Sequence, residues 1–396
     1  MSDNTEAVWR TTHYDYHSFE NNLLKLDILG HDDPTMIKYF MDYVHEHPSD
    51  FPFNNPQDIP IDDKNVYRLF NSTDVIGVNP TQIGSPVASY AVPEFGTNFV
   101  RNMLVETLPK TFAQLVKISG LSHGTGVWAT NAQDLVGGTA MDFGKIEFKD
   151  VIGCRDDIMV NLMYMGLEPL QAFEIMEFVR KGKVKKDPGK WVKYREKMVE
   201  KNVPAWYIWS CEQIEYMFPK AHATAYVLMA LRIAWFKVYA PALFYSAWFS
   251  KRAKAYDVYS FLGGEIAITA KIEELRNKKD STAKDEDLIT ALQVALEMAS
   301  RKIKFLPVDI EKSDATVFTV EDGNIRLPFV SVDKLGESVA QDIVNKRNEK
   351  PFTSKKDVSK RTKLNNSLFE EFNNLRVFGN LPENDPEVED GLFAFM

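Results

Sequence analysis

The sequence predicts an α+β chain that is predominantly helical, and three observations carry that expectation. Between about residues 95 and 250, apolar positions recur at spacings of three and four, the period of a helix face. From about 305 to 329 the pattern shortens to alternation in FLPVDI, ATVFTV and NIRLPF, which suggests a small sheet or hairpins. Near the N-terminus, HYDYHSF alternates aromatic and polar residues and LLKLDILG runs into a glycine, as a strand entering a turn does.

After that first segment, Pro48, Pro52, Pro56, Pro60 and Pro80 break residues 36 to 80 into short helices and loops. The helical stretch then comprises FVRNMLVETL, TFAQLVKIS, DDIMVNLMYM, PLQAFEIMEFVRKG, WYIWSCEQIEYMF and AYVLMALRIAWFKVYA. Pro169 suits the start of its helix, where its fixed φ is tolerated, and Gly182 suits the C-cap of the same helix. Two further helices follow Tyr256, in VYSFLGGEIAITAKIEELRNK and DEDLITALQVALEMASRK. Beyond the alternating runs, Leu335-Gly336 precedes an amphipathic helix, and FTSKKDVSKR and LNNSLFEEFNNLRVFGNL come next. These resemble paired helix-hairpin-helix units, in which Gly336 and free N–H groups at a helix start would hold a phosphate without reading bases.

At 396 residues, with 44% apolar and 12% aromatic content, the chain has enough apolar material for two or three domains. Its two cysteines, Cys154 and Cys211, are far apart and lack companion histidine spacing, which argues against a disulfide framework or a structural zinc site and for a reducing cytoplasm. No basic stretch followed by an apolar stretch opens the chain, so no signal peptide is expected. The net charge of −9 is unevenly sorted. Residues 180 to 201 hold ten Lys/Arg against three Asp/Glu, and residues 345 to 363 hold eight against two. Basic patches on an acidic body suit contacts to a phosphate backbone, with Lys181, Lys183, Lys185 and Lys186 in the first and Lys346, Arg347, Lys355 and Lys356 in the second. A solvated helix face or a mobile loop is the alternative reading of either patch taken alone.

The stretch KAHATAYVLMALRIAWFKVYAP, residues 220 to 241, opens a long apolar helix with a Lys/His/Tyr cluster. Arg232, Lys237 and Pro241 interrupt it, leaving uncharged runs short of the ~20 residues a membrane span needs. On a helix His222 and Tyr226 share a face, with Lys220 roughly 200° away. A ring to stack a base, with a cation and free N–H groups to meet phosphates, suits a nucleotide. A buried core helix with a lysine at its mouth is the alternative.

MFPKAHATAYVLMALRIAWFKVYAP resembles the fingers-domain core of bacterial C-family replicative polymerases of the PolC type, the DNA polymerase III alpha subunits. LKLDILGHDDPT (24 to 35), PEFGTNFVRNML (93 to 104), ISGLSHGTGVW (118 to 128) and VIGCRDDIMV (151 to 160) resemble segments of the same subunit in the same order. The resemblance implies the end of a polymerase palm over 1–35, fingers over 36–255, a duplex-binding region over 256–380 and an acidic tail over 381–396. It implies template-directed transfer of deoxynucleotides to a primer 3′-OH, with deoxynucleoside triphosphates and primer-template DNA as partners and no membrane.

Asp27, between two apolar residues on the expected strand, is the candidate metal ligand, and it matches the family's third catalytic carboxylate. Magnesium would be shared with carboxylates that this chain lacks: the family's Asp-x-Asp pair is not found among Asp3, Glu6, Asp15 and Glu20. The chain alone is therefore expected not to extend a primer, and an upstream polymerase fragment is an expected partner. His31-Asp32-Asp33 offers a rival metal site of a hydrolase, but without partner ligands in the sequence it reads as a turn before Pro34. Arg155 resembles the family position that reaches the triphosphate, with a salt bridge to Asp156 or Asp157 as the alternative. Ser122, His123, Gly124 and Thr125 form a polar loop expected to line the site, Tyr226 to stack near the nascent base pair, and Lys220 and His222 to lie near the triphosphate. In the tail, Leu392-Phe393 resembles a sliding-clamp docking peptide, with Glu389 where the family has glutamine. The alternative to a polymerase part is a non-catalytic DNA-binding and clamp-docking module.

Overall fold

The helical period of the middle of the chain is realised as a helical body in the computed structural model, which describes residues 14–15, 18–19, 22–23 and 31–385. The expected strand around Asp27, and Glu389, Leu392 and Phe393 of the tail, lie outside the described residues. Residues 1–32 form one unit and 33–396 another. In the first, the described backbone turns, with the Asn22 N–H donating to the Phe19 carbonyl.

The larger unit opens on α1, Asp32–Glu46. The expected turn over Asp32 and Asp33 is corrected here: Pro34 sits in the first helical turn, where a missing N–H does no harm. The Asp33 carboxylate accepts from Arg252 at 2.6 Å instead of serving a turn. Short helices α2 (Lys64–Arg68) and α3 (Pro80–Ile83) follow among the prolines, each capped by a side chain, Asp63 and Asn79. Next come α4 (Asn98–Thr107), α5 (Phe112–His123) and α6 (Gln133–Gly137). Helices α7 (Arg155–Tyr164) and α8 (Pro169–Arg180) pack as a hairpin.

Helix α8 has Pro169 at its first position, and its end is closed by two bonds, Gly182 N–H to Val179 O and Lys183 N–H to Phe178 O. Gly182 has φ +61°, and a Cβ there would lie 2.3 Å from the Glu215 carbonyl oxygen, so only glycine fits. The first basic segment is neither wholly loop nor featureless: α9, Pro188–Glu200, starts at the Asp187 cap and buries Trp191, Tyr194 and Met198 along one stripe, leaving its lysines to solvent.

Helix α10, Ala205–Gln213, stops five residues before the end that its period suggests, because Ile214–Phe218 runs extended to meet Thr125. Helix α11, Lys220–Tyr239, is the spine: from Ala230 to Lys237 nearly every residue is buried, as in a helix surrounded by protein. Phe236 stacks on Phe40 of α1 at 4.2 Å, and α5, α7 and α12 (Pro241–Lys251) pack against the same helix. Helices α13 (Val258–Arg276) and α14 (Ala283–Ser300) pair with each other.

The alternating runs give a sheet in the order β1-β3-β2, of Phe305–Leu306, Asn324–Arg326 and Thr319–Glu321. Strands β2 and β3 are joined by the two-residue turn Asp322-Gly323, with Val320 opposite Ile325, while β1 runs parallel to β3. Helices α15 (Glu337–Glu349), α16 (Lys355–Arg361) and α17 (Asn366–Asn374) complete the described chain. The fold class is thus the one the sequence predicts. Among the described residues, no helix is long and apolar enough to cross a membrane.

Candidate nucleotide and DNA site

The loop after α5 decides where the aromatic cluster forms. Gly126, at φ +68°, lets residues 124–126 lie so close to 213–216 that a Cβ would come within 2.3 Å of the Gln213 oxygen. Thr125 then exchanges backbone bonds with this extended segment: its N–H donates to Tyr216 O, and its carbonyl accepts from Glu215 N–H, both at 2.9 Å. The contact carries His123, the last residue of α5, against Phe218 and the first turns of α11.

Five rings converge there. His222 and Tyr226 lie 4.4 Å apart, centroid to centroid, as their shared helix face predicts. His123 stands 5.4 Å from His222, 6.2 Å from Tyr226 and 5.6 Å from Phe218. Phe218 is 5.0 Å from His222 and 5.2 Å from Tyr216.

Both ring nitrogens of His123 are engaged. Nδ1 meets the Ser119 carbonyl at 2.6 Å, and Nε2 meets the Glu94 carboxylate at 2.9 Å. Donation at both requires the doubly protonated ring, and the hydrogen bond to Glu94, helped by Ser119, raises its pKa above the usual histidine value. His123 therefore presents a ring face and not a free N–H. Ser122 Oγ donates to Ser119 O at 2.9 Å and touches the same ring nitrogen, so it braces His123.

Lys220 leaves the rings, as its position on the wheel requires. Its Nζ donates to Asp157 Oδ1 at 3.0 Å, and its backbone N–H donates to Asp156 Oδ2 at 2.6 Å. The start of α11 is thus met by carboxylates from the first turn of α7. Burial alone would raise the Asp157 pKa, but Lys117, Lys220 and the Gly153 N–H outweigh it and hold the carboxylate below the usual range. Burial in turn lowers Lys117, whose Nζ donates to the carbonyls of Lys149 and Val151. These groups line a cavity of about 570 Å³ with Cys154, Asn161 and Trp206. Arg155 opens α7, its N–H donating to Phe218 O at 3.1 Å, so its backbone abuts the ring cluster. Its guanidinium makes no ion pair among the described residues, so the salt bridges to Asp156 or Asp157 weighed from sequence do not form.

The structure thus brings together His123, His222 and Tyr226, with Ser122 behind and Arg155 beside them, while Lys220 faces the cavity. Glu94 and Phe218 were not singled out from the sequence, although both lie in its distinctive blocks. Glu94 has φ +68°, a strained value for a non-glycine residue, and nothing local signals that it faces His123.

Among the lysines of 181–186, Lys181 pairs with Glu177 at 3.0 Å and Lys185 with Glu215 at 2.8 Å, while Lys183 and Lys186 form no ion pair among the described residues. In the C-terminal helices Gly336 is the N-cap of α15. Lys346 pairs with Glu349 at 2.9 Å and Lys355 with Glu383. Lys356 is exposed and unpaired among the described residues. The guanidinium of Arg347, also expected as a DNA contact, turns inward to the carbonyls of Ile310 and Ser313, at 3.1 and 2.8 Å.

A helical body ending in short capped helices defines a class that comparison makes specific. Residues 33–202 match the bacterial DNA polymerase III alpha subunit finger domain, and residues 302–385 match a helix-hairpin-helix motif. The chain carries both domains. It is similar over nearly its whole length to DNA polymerase III PolC-type of Streptococcus pyogenes, with serotypes M6 and M1 each 47% identical over 395 residues. That alignment takes in 97% of this chain and 26% of each relative, so the chain spans about a quarter of the length of the curated relatives it matches.

Proposed function

We propose that this chain supplies the nucleotide- and DNA-holding part of a template-directed DNA polymerase working in the bacterial cytoplasm. The observation that carries the reading is the half-buried ring cluster of His123, His222 and Tyr226, with the Arg155 backbone bonded to Phe218 beside it and the Arg155 guanidinium in no ion pair among the described residues. Arg155 grips the triphosphate of an incoming deoxynucleotide in bidentate fashion. Tyr226 and His222 pack against its base or sugar, and His123 fixes their spacing from behind. Lys220 holds the acidic start of α7 against α11. Exposed lysines of 181–186 and Lys356, with the N–H groups after Gly336, meet the phosphates of primer-template DNA.

A pair of divalent ions, magnesium in this reading, lowers the charge barrier at the attacking and leaving oxygens of nucleotidyl transfer. Within 33–396 the carboxylates around the rings are already engaged: Asp33 by Arg252, Glu94 by His123, and Asp156 and Asp157 by Lys220. That donor set does not fit a two-metal site by itself. Asp27, outside the described residues, is the residue proposed to serve the metal, together with carboxylates of an upstream polymerase piece. Leu392-Phe393 is proposed to dock on a sliding clamp.

The test is primer extension with magnesium and four deoxynucleoside triphosphates, by the chain alone and mixed with an upstream piece carrying the Asp-x-Asp pair. Activity only in the mixture, lost with Asp27→Ala and reduced with Arg155→Ala, is the expected result. No extension and no triphosphate binding, with duplex binding retained, would leave a DNA-binding module.

A further inference from the structure

A second cavity, of about 360 Å³, opens between the start of α4, the end of α12 and α14. Glu94 lines it, but the rings of the nucleotide site and Arg155 do not. Its volume lies in the range of small-molecule pockets, roughly 300–1,000 Å³. The N-terminus of α4 enters the wall at Gly96, Thr97 and Asn98. There Thr97 takes the N–H groups of Val100 and Arg101, while those of Asn98 and Phe99 make no hydrogen bond among the described residues. Arg101 lies over the Tyr90 ring at 3.9 Å and donates to Gly96 O at 2.8 Å and to Asn98 Oδ1. A guanidinium has five N–H groups, so three remain for another acceptor. Lys254, on the same wall, is exposed and forms no ion pair among the described residues.

Gln293 of α14 is the side chain that points to a ligand. It is only 8% exposed, lines this cavity and forms no hydrogen bond among the described residues. Trp248 of α12, 6% exposed, lines the same cavity, and its indole N–H also has no hydrogen bond among the described residues. Polar groups this deep are nearly always paired, so both call for a polar partner in the cavity. The lining acids do not oppose an anion there. Glu94 is held by His123 at 2.9 Å, and Asp287 precedes Gln293 by six residues, about 9 Å along the helix axis. Arg101 belongs to the Gln293 end. Tyr90, beneath it, accepts from Lys237 at 2.5 Å, and Lys237 pairs with Glu297, one turn beyond Gln293.

We infer that this cavity binds the phosphate group of a nucleotide, with Arg101, the first N–H groups of α4 and the Gln293 amide as donors and Lys254 as an outer cation. A guanidinium fork beside a helix N-terminus matches phosphate oxygens in both geometry and charge. Val92, Pro93 and Val294 supply an apolar wall for the sugar. The phosphate belongs either to a free nucleotide or to a DNA strand, two sources of one chemistry. The site goes beyond the proposed function and stands apart from triphosphate binding at Arg155.

The test is isothermal titration calorimetry of the full 396-residue chain with thymidine 5′-monophosphate, thymidine and a primer-template DNA. Gln293→Met keeps the volume and removes the amide. It is expected to weaken phosphate-dependent binding by about 10-fold, the worth of one hydrogen bond to a charged group, without loss of stability in urea. Lys254→Gln is expected to weaken it by about 3-fold, and less at high salt. Loss of monophosphate affinity with DNA affinity unchanged assigns the site to a free nucleotide, and loss of DNA affinity assigns it to a strand. Affinities for monophosphate and DNA both unchanged in Gln293→Met would overturn the inference. So would monophosphate binding no tighter than thymidine with DNA affinity unchanged, or destabilisation by Gln293→Met. Arg155→Ala in the same titrations separates the two sites: monophosphate binding that is lost there and kept in Gln293→Met overturns this inference and leaves the polymerase reading standing.

Discussion

Lys237 and Glu297 form an ion pair that no water reaches: Nζ lies 2.6 Å from Oε1, and both side chains are 0% exposed. The ammonium also donates to the carbonyls of Ala88 and Tyr90, at 2.7 and 2.5 Å, so α11 and α14 together hold the loop that carries Glu94. Tyr245 donates to the same carboxylate at 2.7 Å. Removing one partner strands the other charge, and Lys237→Met should cost about 3–5 kcal/mol in urea unfolding. Lys237→Met combined with Glu297→Leu should recover at least half of that loss. A double variant as unstable as the single one would show that the bonds to Ala88 and Tyr90 matter more than the charges.

Burial lowers the Lys237 pKa to about 8, against an ordinary 10.5, because the ammonium loses its water even though Glu297 compensates in part. Between those values the unfolded chain binds the extra proton, so this group's contribution to stability rises with pH. The stability of the unsubstituted chain relative to the double variant should therefore grow between about pH 8 and 10. A difference that shrinks over that range contradicts the assignment.

The Glu94–His123 pair has the opposite sign. The folded pKa of His123 lies above its usual 6.5, so the pair's stabilisation is present below that value and is lost as pH rises through the folded pKa. Glu94→Gln should cost about 1–2 kcal/mol near pH 6 and distinctly less near pH 9. Paired urea titrations at the two pH values decide it, and a loss independent of pH would mean that Glu94 acts by packing alone.

Gly182→Ala should destabilise by about 2–4 kcal/mol, since it adds a left-handed backbone penalty to a 2.3 Å clash with the Glu215 carbonyl. Relief of that clash must move the Glu215 backbone, which carries the carboxylate paired with Lys185, and circular dichroism melts should show the loss. A neutral substitution would mean that 213–216 yields freely.

What the sequence made legible follows from where the physics is local. A helix with one apolar stripe, such as α8, announces its face and caps in adjacent residues, whereas the stripe of α9 is hidden in a run of charges. Helix α12 announces no face, because Leu243 to Phe249 are all buried, Ser246 among them, and seven consecutive buried positions have no period. The early end of α10 depends on Thr125, more than eighty residues earlier in the chain. In the site, His222 and Tyr226 could be placed together from their spacing on one helix. Glu94 facing His123, and Lys237 facing Glu297, are long-range pairings of common residue types, and nothing near either partner marks them.

Arg347 and Lys356 belong to the same basic segment, and the structure separates their work. Arg347 satisfies two carbonyls of the segment between β1 and β2, so Arg347→Gln leaves two acceptors short of a donor and should cost about 1–3 kcal/mol. Its DNA affinity, corrected for the folded fraction, should keep the same salt dependence. Lys356 is exposed and makes no ion pair among the described residues, so Lys356→Gln should change stability by less than about 0.5 kcal/mol while reducing the slope of log duplex affinity against log salt by about 0.9, the share of one phosphate. Duplex titrations at three salt concentrations beside urea unfolding read both quantities from the same two variants. If Arg347→Gln lowers the salt slope and leaves stability unchanged, the guanidinium leaves its carbonyls when DNA arrives, and the segment reorganises on binding instead of presenting a preformed face.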